Sequence, residues 1–443
     1  MVEILIGQIK NKIIITIDNI KSSQNLMAII KNSGWLLLDK LIRMSLGIFV
    51  SAWIARYLGP QEFGELAYSL AILALFQAIA TLGLDGIVVR EISNNAKKAG
   101  EVLGSTFLLR FVIGILSWFL SIALFVLLKG IDDRSVYIMA LCGACLIFQS
   151  LNTIDLWFQS QSQSKRTVLV KLVSYLIVNG LKVTLIIFEA PLPAFAFVVT
   201  VDAFIVAIGL VWAYSKFSCG QKWKFEKKRS VKLLKESWPF ILSGVSTMIY
   251  MRLDQIFVEK YLGSESLGIY AAVVPLSAIW SFIPMTLFVS LAPVVAKKKI
   301  NDEKEYWSFF TNICRFFAIL GWLICIPISL SSDVIVNILF GERYALGGDT
   351  LSIIIFCNIF INLGVAQSLW ILNEGKSKVS LYQTIIGVAV SIILNNTLIP
   401  IYGINGAAIS AVLAQFFSCI LSNVIFSRKI FLIQVKSMFL IKP

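Results

Sequence analysis

Apolar residues along the chain gather into runs of about 20, the length a helix needs to cross a hydrocarbon layer. Six such runs fall near 34–57, 63–84, 103–128, 135–158, 168–188 and 193–215. Six more fall near 237–261, 266–291, 307–330, 347–372, 379–400 and 404–427. The pattern predicts an all-α integral membrane protein of about twelve transmembrane helices, six in an N-lobe over 34–215 and six in a C-lobe over 237–427. The connection 216–236 is a basic linker and the longest interval, too short for a soluble catalytic domain. Residues 428–443 read as a cytoplasmic tail. Residues 1–33 read as an amphipathic, basic segment suited to the inner leaflet, or translation starts at Met27. Their opening stretch has no continuous apolar core ahead of a small-residue cleavage site, so no cleavable signal peptide is expected.

Composition changes the picture in one respect. The chain is 58% hydrophobic and 14% charged, with mean hydropathy +0.84, where a soluble domain has about 45–50% and 25%. Net charge is +14, and its placement gives it meaning. Counting the termini, the odd-numbered connections carry 27 Lys and Arg; the alternate ones carry five, Arg56, Lys129, Arg134, Lys260 and Arg343. Such a bias orients short loops strongly. Both termini are therefore predicted in the cytoplasm, which requires an even number of helices. The charge is a topology signal and an attraction to anionic lipid, and no nucleic-acid partner is expected. The chain has no histidine, and the CGAC pair Cys142 and Cys145 lies in an apolar run without a second ligand pair. The cysteines read as small packing residues, and neither metal nor cofactor is expected.

A repeat runs through the chain. WIARYLGPQEFGELAY (53–68) matches FVEKYLGSESLGIYAA (257–272) at a shift of 204, with Tyr57, Leu58, Gly59, Gly64 and Ala67 identical to Tyr261, Leu262, Gly263, Gly268 and Ala271. Each copy reads as a helix closed by glycine in the left-handed region, then a second helix. Leu156, Trp157, Ser164 and Lys165 echo Leu369, Trp370, Ser377 and Lys378. A repeat of six helices keeps its orientation, so the two halves run parallel about a pseudo-twofold axis along the membrane normal. That arrangement places a substrate path between lobes that rock against each other.

Charges inside apolar runs are the candidate site. One at mid-membrane costs at least about 2.5–3.5 kcal/mol on insertion scales and usually faces inward. The bases are Lys40, Arg43, Arg110, Lys171, Lys182, Arg252 and Arg315; the acids are Asp39, Asp155, Asp202 and Asp254. Lys40, Arg110 and Lys171 stand within about two turns of basic connections and read as snorkelling to headgroups. Arg43, Lys182, Arg252 and Arg315 lie deeper, as candidates for a cationic cavity that holds an anionic headgroup, arginine's planar fork matching phosphate oxygens. Asp39, Asp155, Asp202 and Asp254 are candidates for coupling or for pairing with these bases. Asp39 and Arg43 share a helix face at i, i+4, whereas Arg252 and Asp254 diverge, so that one can face the cavity while the other pairs elsewhere. Pro275, Pro284 and Pro327 are candidate hinges, since each removes a helix hydrogen bond, though prolines are common in membrane helices.

These segments resemble a known family. ARYLGPQEFGELAYSLAILALFQAIATLGLDGIVVRE, IDLWFQSQSQSK, FGERYALGGDTLSIIIF, WILNEGKSK and INGAAIS resemble the Wzx-type polysaccharide flippases, in the superfamily that holds the multidrug and lipid II exporters. The resemblance implies a MATE-like fold, two six-helix lobes in a V around a cavity often lined by cations. It implies a flippase in the inner (cytoplasmic) membrane. Its substrate would be an undecaprenyl-diphosphate-linked oligosaccharide, moved to the outer leaflet for O-antigen, capsule or exopolysaccharide. A polysaccharide polymerase and a chain-length regulator are the implied partners, and Asp254 in RLDQIF matches an acid common in that helix of the family. The alternative on the same architecture is an ion-coupled multidrug or organic-cation exporter, whose cavity should be acidic. A membrane-embedded glycosyl transferase would want a larger extramembrane loop or paired carboxylates. Asp132 and Asp133 are adjacent, but they sit in a short turn.

Overall fold

The computed structural model describes residues 24–218 and 220–440, with side chains from Arg43 onward except Asn301. The side chains of Asp39 and Lys40 therefore lie outside the described residues. The chain divides into a first unit ending at Ile48 and a second, Phe49–Pro443, which holds both copies of the repeat.

The described residues form helices joined by turns, with no strand. Nine helical runs among them are long and apolar enough to cross a membrane. Three of these fold back on themselves: Gln24–Ala80 at Gly59, Lys227–Ala278 at Gly263 and Ser377–Phe416 at Gly403. Each fold-back holds two crossings, which accounts for the twelve apolar runs of the sequence. Gly59 has φ 74°, ψ 170° and Gly263 φ 80°, ψ 178°, so the two glycines matched in the repeat share one backbone conformation. The expected closure was left-handed helical. The observed ψ is extended instead, a region open essentially to glycine alone, and it turns the chain back on itself. Gly130 and Gly341 end the helices Ala99–Lys129 and Ser332–Phe340 in the same way. All four stand at connections poor in Lys and Arg.

At this basic-poor end the halves meet backbone to backbone. A Cβ on Gly64 would lie 1.7 Å from the Ser264 carbonyl oxygen, and one on Gly268 would lie 1.9 Å from that of Pro60. Pro60 and Ser264 are themselves counterparts in the repeat, so the crossing is symmetric about the pseudo-twofold axis. Polar contacts surround it. Lys129 Nζ lies 2.5 Å from Glu259 Oε1 and 5.0 Å from the centre of the Tyr68 ring. Arg56 donates to the Ile338 carbonyl at 2.6 Å, and buried Tyr344 donates to that of Ala55 at 2.7 Å. Tyr57 and Tyr261 each brace their own half, donating to the Ala190 carbonyl at 2.9 Å and to Asn396.

The basic linker is anchored at the other end. Arg229 pairs with Glu91 at 2.9 Å and with Glu101 at 3.4 Å, Lys232 reaches Glu91 at 2.7 Å, and Arg90 reaches Glu236 at 2.6 Å. Beneath it Leu233 joins the first core with Leu84, Val88, Leu103 and Phe158.

A second core, around Phe310, Phe317, Leu363 and Trp370, includes Ile430 from beyond the twelfth apolar run. Residues 428–443, expected as a tail, contain a helix, Arg428–Met438. It lies along Glu303–Leu330: Lys429 stands 3.4 Å from the centre of the Trp307 ring, and the Met438 carbonyl accepts from Trp322 at 2.9 Å. Gln434 of this helix is fully buried. It donates to Gln367 at 3.1 Å and accepts from Asn423 at 2.8 Å, while Gln383 donates to Asn423 at 3.2 Å. Four amides from four helices thus satisfy one another away from solvent, as buried polar groups must.

Candidate functional site

A cavity of about 330 Å³ opens in the first half. It is built where two helices are interrupted. The first interruption follows Gln24–Ala80: Leu82 and Gly83 take positive φ, and Asp85 then starts Asp85–Asn94, where a helix N-terminus favours an acid. Arg110 of the neighbouring Ala99–Lys129 reaches Asp85 Oδ1 at 2.6 Å and the Thr81 carbonyl at 3.1 Å. Arg110 is only 4% exposed, and its buried Nε has no hydrogen-bond partner.

The second interruption is the 3₁₀ turn Gln149–Asn152, which re-aims the chain into Thr153–Ser160. Asp155 on that helix pairs with Lys171 of Ser164–Ile187 at 2.6 Å and accepts from Gln159 at 3.1 Å. Gln77, Gln149 and Asn152 add uncharged amides to the lining. Two acids and two bases leave the cavity formally neutral. Such a lining alternates donors and acceptors, which suits a hydroxyl-rich ligand. An anionic oxygen can also take a carboxylate's place on Arg110 or Lys171. The flanking connections carry Lys97, Lys98, Lys165 and Arg166, so the cavity stands toward the basic-rich end.

A second cavity, about 510 Å³, lies in the other half between Lys227–Ala278 and Ser377–Phe416. Hydroxyl and aliphatic side chains line it, with no ionisable group.

The residues singled out from the sequence are dispersed. Of those proposed as cavity cations, coupling acids or hinges, Asp155 alone lines either cavity, while Arg110 and Lys171, assigned to headgroups, line the first. Lys182 lies inside the first half, where Asp202 is the charge acting on it, and Asp202 accepts from Ser174 at 3.3 Å. Arg252 reaches Gln255 at 3.4 Å, while Asp254 accepts from buried Tyr270 at 2.5 Å and from the Gln255 amide at 2.8 Å. The acid finds its donors within the bundle, and both residues bond Gln255. Arg315 is half-buried on Glu303–Leu330. Arg43 belongs to the first unit. Pro275 and Pro284 bracket a 3₁₀ turn, Ile279–Ser281, that breaks the eighth crossing, and Pro327 sits near the end of its helix. Asp133 caps the helix Arg134–Gly143, accepting from the Ser135 amide at 2.7 Å.

Sequence reasoning assigned Arg110 and Lys171 to headgroups, whereas both are ion-paired in the cavity wall. A signal for one pair was present. Asp155 and Lys171 lie eight residues either side of Gln163, within the turn between their helices. Equal spacing from an antiparallel turn puts both about 12 Å down, at 1.5 Å per residue.

Comparisons with known proteins agree with one another. The family described as polysaccharide biosynthesis protein matches residues 29–299, and the MatE family matches residues 239–397. Capsular polysaccharide biosynthesis protein CapF of Staphylococcus aureus is 22% identical over 91% of this chain and 100% of its own length. A Shigella flexneri protein named as an O-antigen transporter is 23% identical over 91% and 98%. Among solved structures, the lipid II flippase MurJ superposes with TM-score 0.69 at 15% identity, covering 91% of this chain and 90% of that one. An inward-facing multidrug resistance MATE family transporter gives the same TM-score at 12% identity over 89% and 96%.

Proposed function

Because the chain belongs to the polysaccharide biosynthesis protein family, we propose that it is a flippase for an undecaprenyl-diphosphate-linked oligosaccharide. It would carry this substrate from the cytoplasmic to the outer leaflet of the inner membrane by alternating access. The observation that carries the reading is the pair of opposite ends. A neutral, ion-paired cavity stands toward the basic-rich end, and at the basic-poor end the halves close on each other at Gly64 and Gly268. With the basic end in the cytoplasm, the cavity is presented to the leaflet where the substrate is made.

Within the cavity the diphosphate exchanges partners with the carboxylates. Arginine binds phosphate oxygens through two parallel N–H bonds, and Arg110 has an unused Nε donor for one of them. Lys171 supplies a second charge. Asp85 and Asp155, released from their bases, accept from sugar hydroxyls beside Gln77, Gln149 and Asn152. Holding the bases in ion pairs keeps the empty cavity from carrying uncompensated charge. A cation exporter would need free carboxylates there, and both carboxylates of this cavity are paired.

Deleting the gene in its host, with complementation by wild type, Arg110→Ala, Arg43→Ala and Arg252→Ala, tests the assignment. The expected result is accumulation of lipid-linked oligosaccharide and loss of surface polymer, restored by wild type and not by Arg110→Ala. Unchanged lipid-linked pools and surface polymer in the deletion strain would overturn the polysaccharide assignment.

A further inference from the structure

The cavity of the second half carries a polarity gradient that the headgroup site does not use. Its two walls, Lys227–Ala278 and Ser377–Phe416, both start at basic connections and run in the same direction. Along each wall the hydroxyls gather toward the basic end: Ser243, Ser246 and Thr247 precede Ile249, and Ser377, Ser380 and Thr384, interleaved with Leu381, precede Ile385, Val388, Ala389 and Ile392. The two threonines are less polar than their residue type suggests. Thr247 donates to the Ser243 carbonyl at 2.9 Å and Thr384 to that of Ser380 at 3.0 Å. Threonines bonded back to their own helix present methyl groups and spare acceptors to the groove, with no free donor.

A groove of about 510 Å³ with this lining has no ionisable group to pair with a diphosphate, and beyond Ile249 and Thr384 only aliphatic side chains line it. It fits a hydrocarbon chain whose polar end stays near the basic-rich mouth. We infer that it holds the proximal isoprenoid units of the lipid-linked substrate, while the ion-paired cavity of the first half holds the headgroup. The inference rests on the flippase reading for the identity of the lipid. Two sites of opposite chemistry, both beginning at the same end of the bundle, match the two parts of one amphiphile. Gly387 keeps the walls together beyond the hydroxyls, because a Cβ there would lie 3.0 Å from the Tyr250 ring.

The test uses the purified full chain and two probes, a polyisoprenyl phosphate and a phosphatidylglycerol, each bearing a diazirine on its hydrocarbon chain. Cross-links are mapped by mass spectrometry in wild type, in Ala389→Trp, which fills the groove, and in Leu323→Trp on an exposed face elsewhere. The expected result is isoprenoid labelling of 243–249 and 380–392 at least fivefold above phospholipid labelling. Ala389→Trp should lower the isoprenoid labelling about tenfold, with Leu323→Trp unchanged. Equal labelling by both probes would make the groove an ordinary lipid-filled crevice and overturn the inference, as would full isoprenoid labelling in a folded Ala389→Trp. The wild-type comparison of probes decides the matter without any variant. The isoprenoid probe carries no sugar. Failed labelling beside a positive host phenotype therefore removes the groove alone, while labelling beside a negative phenotype removes only the glycan assignment.

Discussion

The two halves share a backbone plan and differ in how they hold polar groups. Both turn back at glycines with φ near 80° and extended ψ, and both present a glycine to the crossing. The first half builds two ion pairs into the wall of its cavity. The second lines its cavity with hydroxyls and aliphatics, and buries a cluster of neutral amides around Asn423. Turn and crossing glycines are fixed by backbone geometry, which no other residue satisfies, so they match across the repeat. Interior side chains face only the need to be paired, and many pairings meet it. The halves were therefore free to diverge in chemistry while keeping one scaffold.

The largest effect is expected where the halves are alike. Gly268→Leu drives a side chain into the Pro60 carbonyl, and a backbone crossing of this kind tolerates only small residues. Surface polymer in a complemented strain should fall to the level of the deletion, with the protein still in the membrane; normal polymer would show that the crossing opens without being needed.

Next come the charges that set the halves apart. Arg110→Met should lower transport about 10- to 100-fold, the range for losing a charged hydrogen bond of about 1.5–3 kcal/mol, and Arg110→Lys should restore little because a lysine lacks the planar fork. Thr384→Val in the other cavity should stay within about twofold in the same complementation assay. Equal losses at both positions would erase the proposed division between headgroup and chain.

Asn423→Leu sharpens the contrast from the uncharged side. It leaves Gln367 Nε2 and Gln434 Oε1 without a partner while Gln383 keeps its bond to Ser422, at a cost of about 1–3 kcal/mol for an unsatisfied buried group. Thermal unfolding of the purified protein should move down by a few degrees, with transport per folded molecule unchanged. A transport defect without destabilisation would give the amides a working role.

The smallest effect belongs to Lys129 and Glu259, which link the halves. Single changes to Met and Gln, and the double change, should give a coupling energy on the order of 1 kcal/mol in unfolding experiments. A coupling near zero would mean that the crossing alone holds this end shut.

Much of the architecture was legible in the sequence, for identifiable reasons. Runs of apolar residues must span lipid, so the helices could be counted from their lengths. Gly59 and Gly263 announced the repeat because their conformation excludes side chains. The conformation itself was less legible, since positive φ alone does not separate a helix cap from a reversal. The site was harder still. Depth was read along each helix separately, and that made Arg110 and Lys171 look close enough to headgroups to reach them. Pairing is decided between helices: Asp85 lies at a helix start outside the apolar run, so it was never counted as a partner for Arg110. The helix Arg428–Met438 escaped notice because RKIFLIQVKSM alternates charge with apolar residues and is too short to span; Gln434 became intelligible only beside Asn423 and Gln367.

The crossing at Gly64 and Gly268 has a mechanical consequence. Helices usually lock through ridges of side chains seated in grooves, which favour a few crossing angles. Two bare backbones in contact have no such teeth. The joint is a smooth pivot, able to turn through a range of angles, and in the proposed cycle its resistance comes from the latches around it, Lys129 with Glu259 and Arg56 with the carbonyls of Asn337 and Ile338. Those latches are few, polar and replaceable by water, so the hinge of this molecule is stiff only as long as its catches are closed.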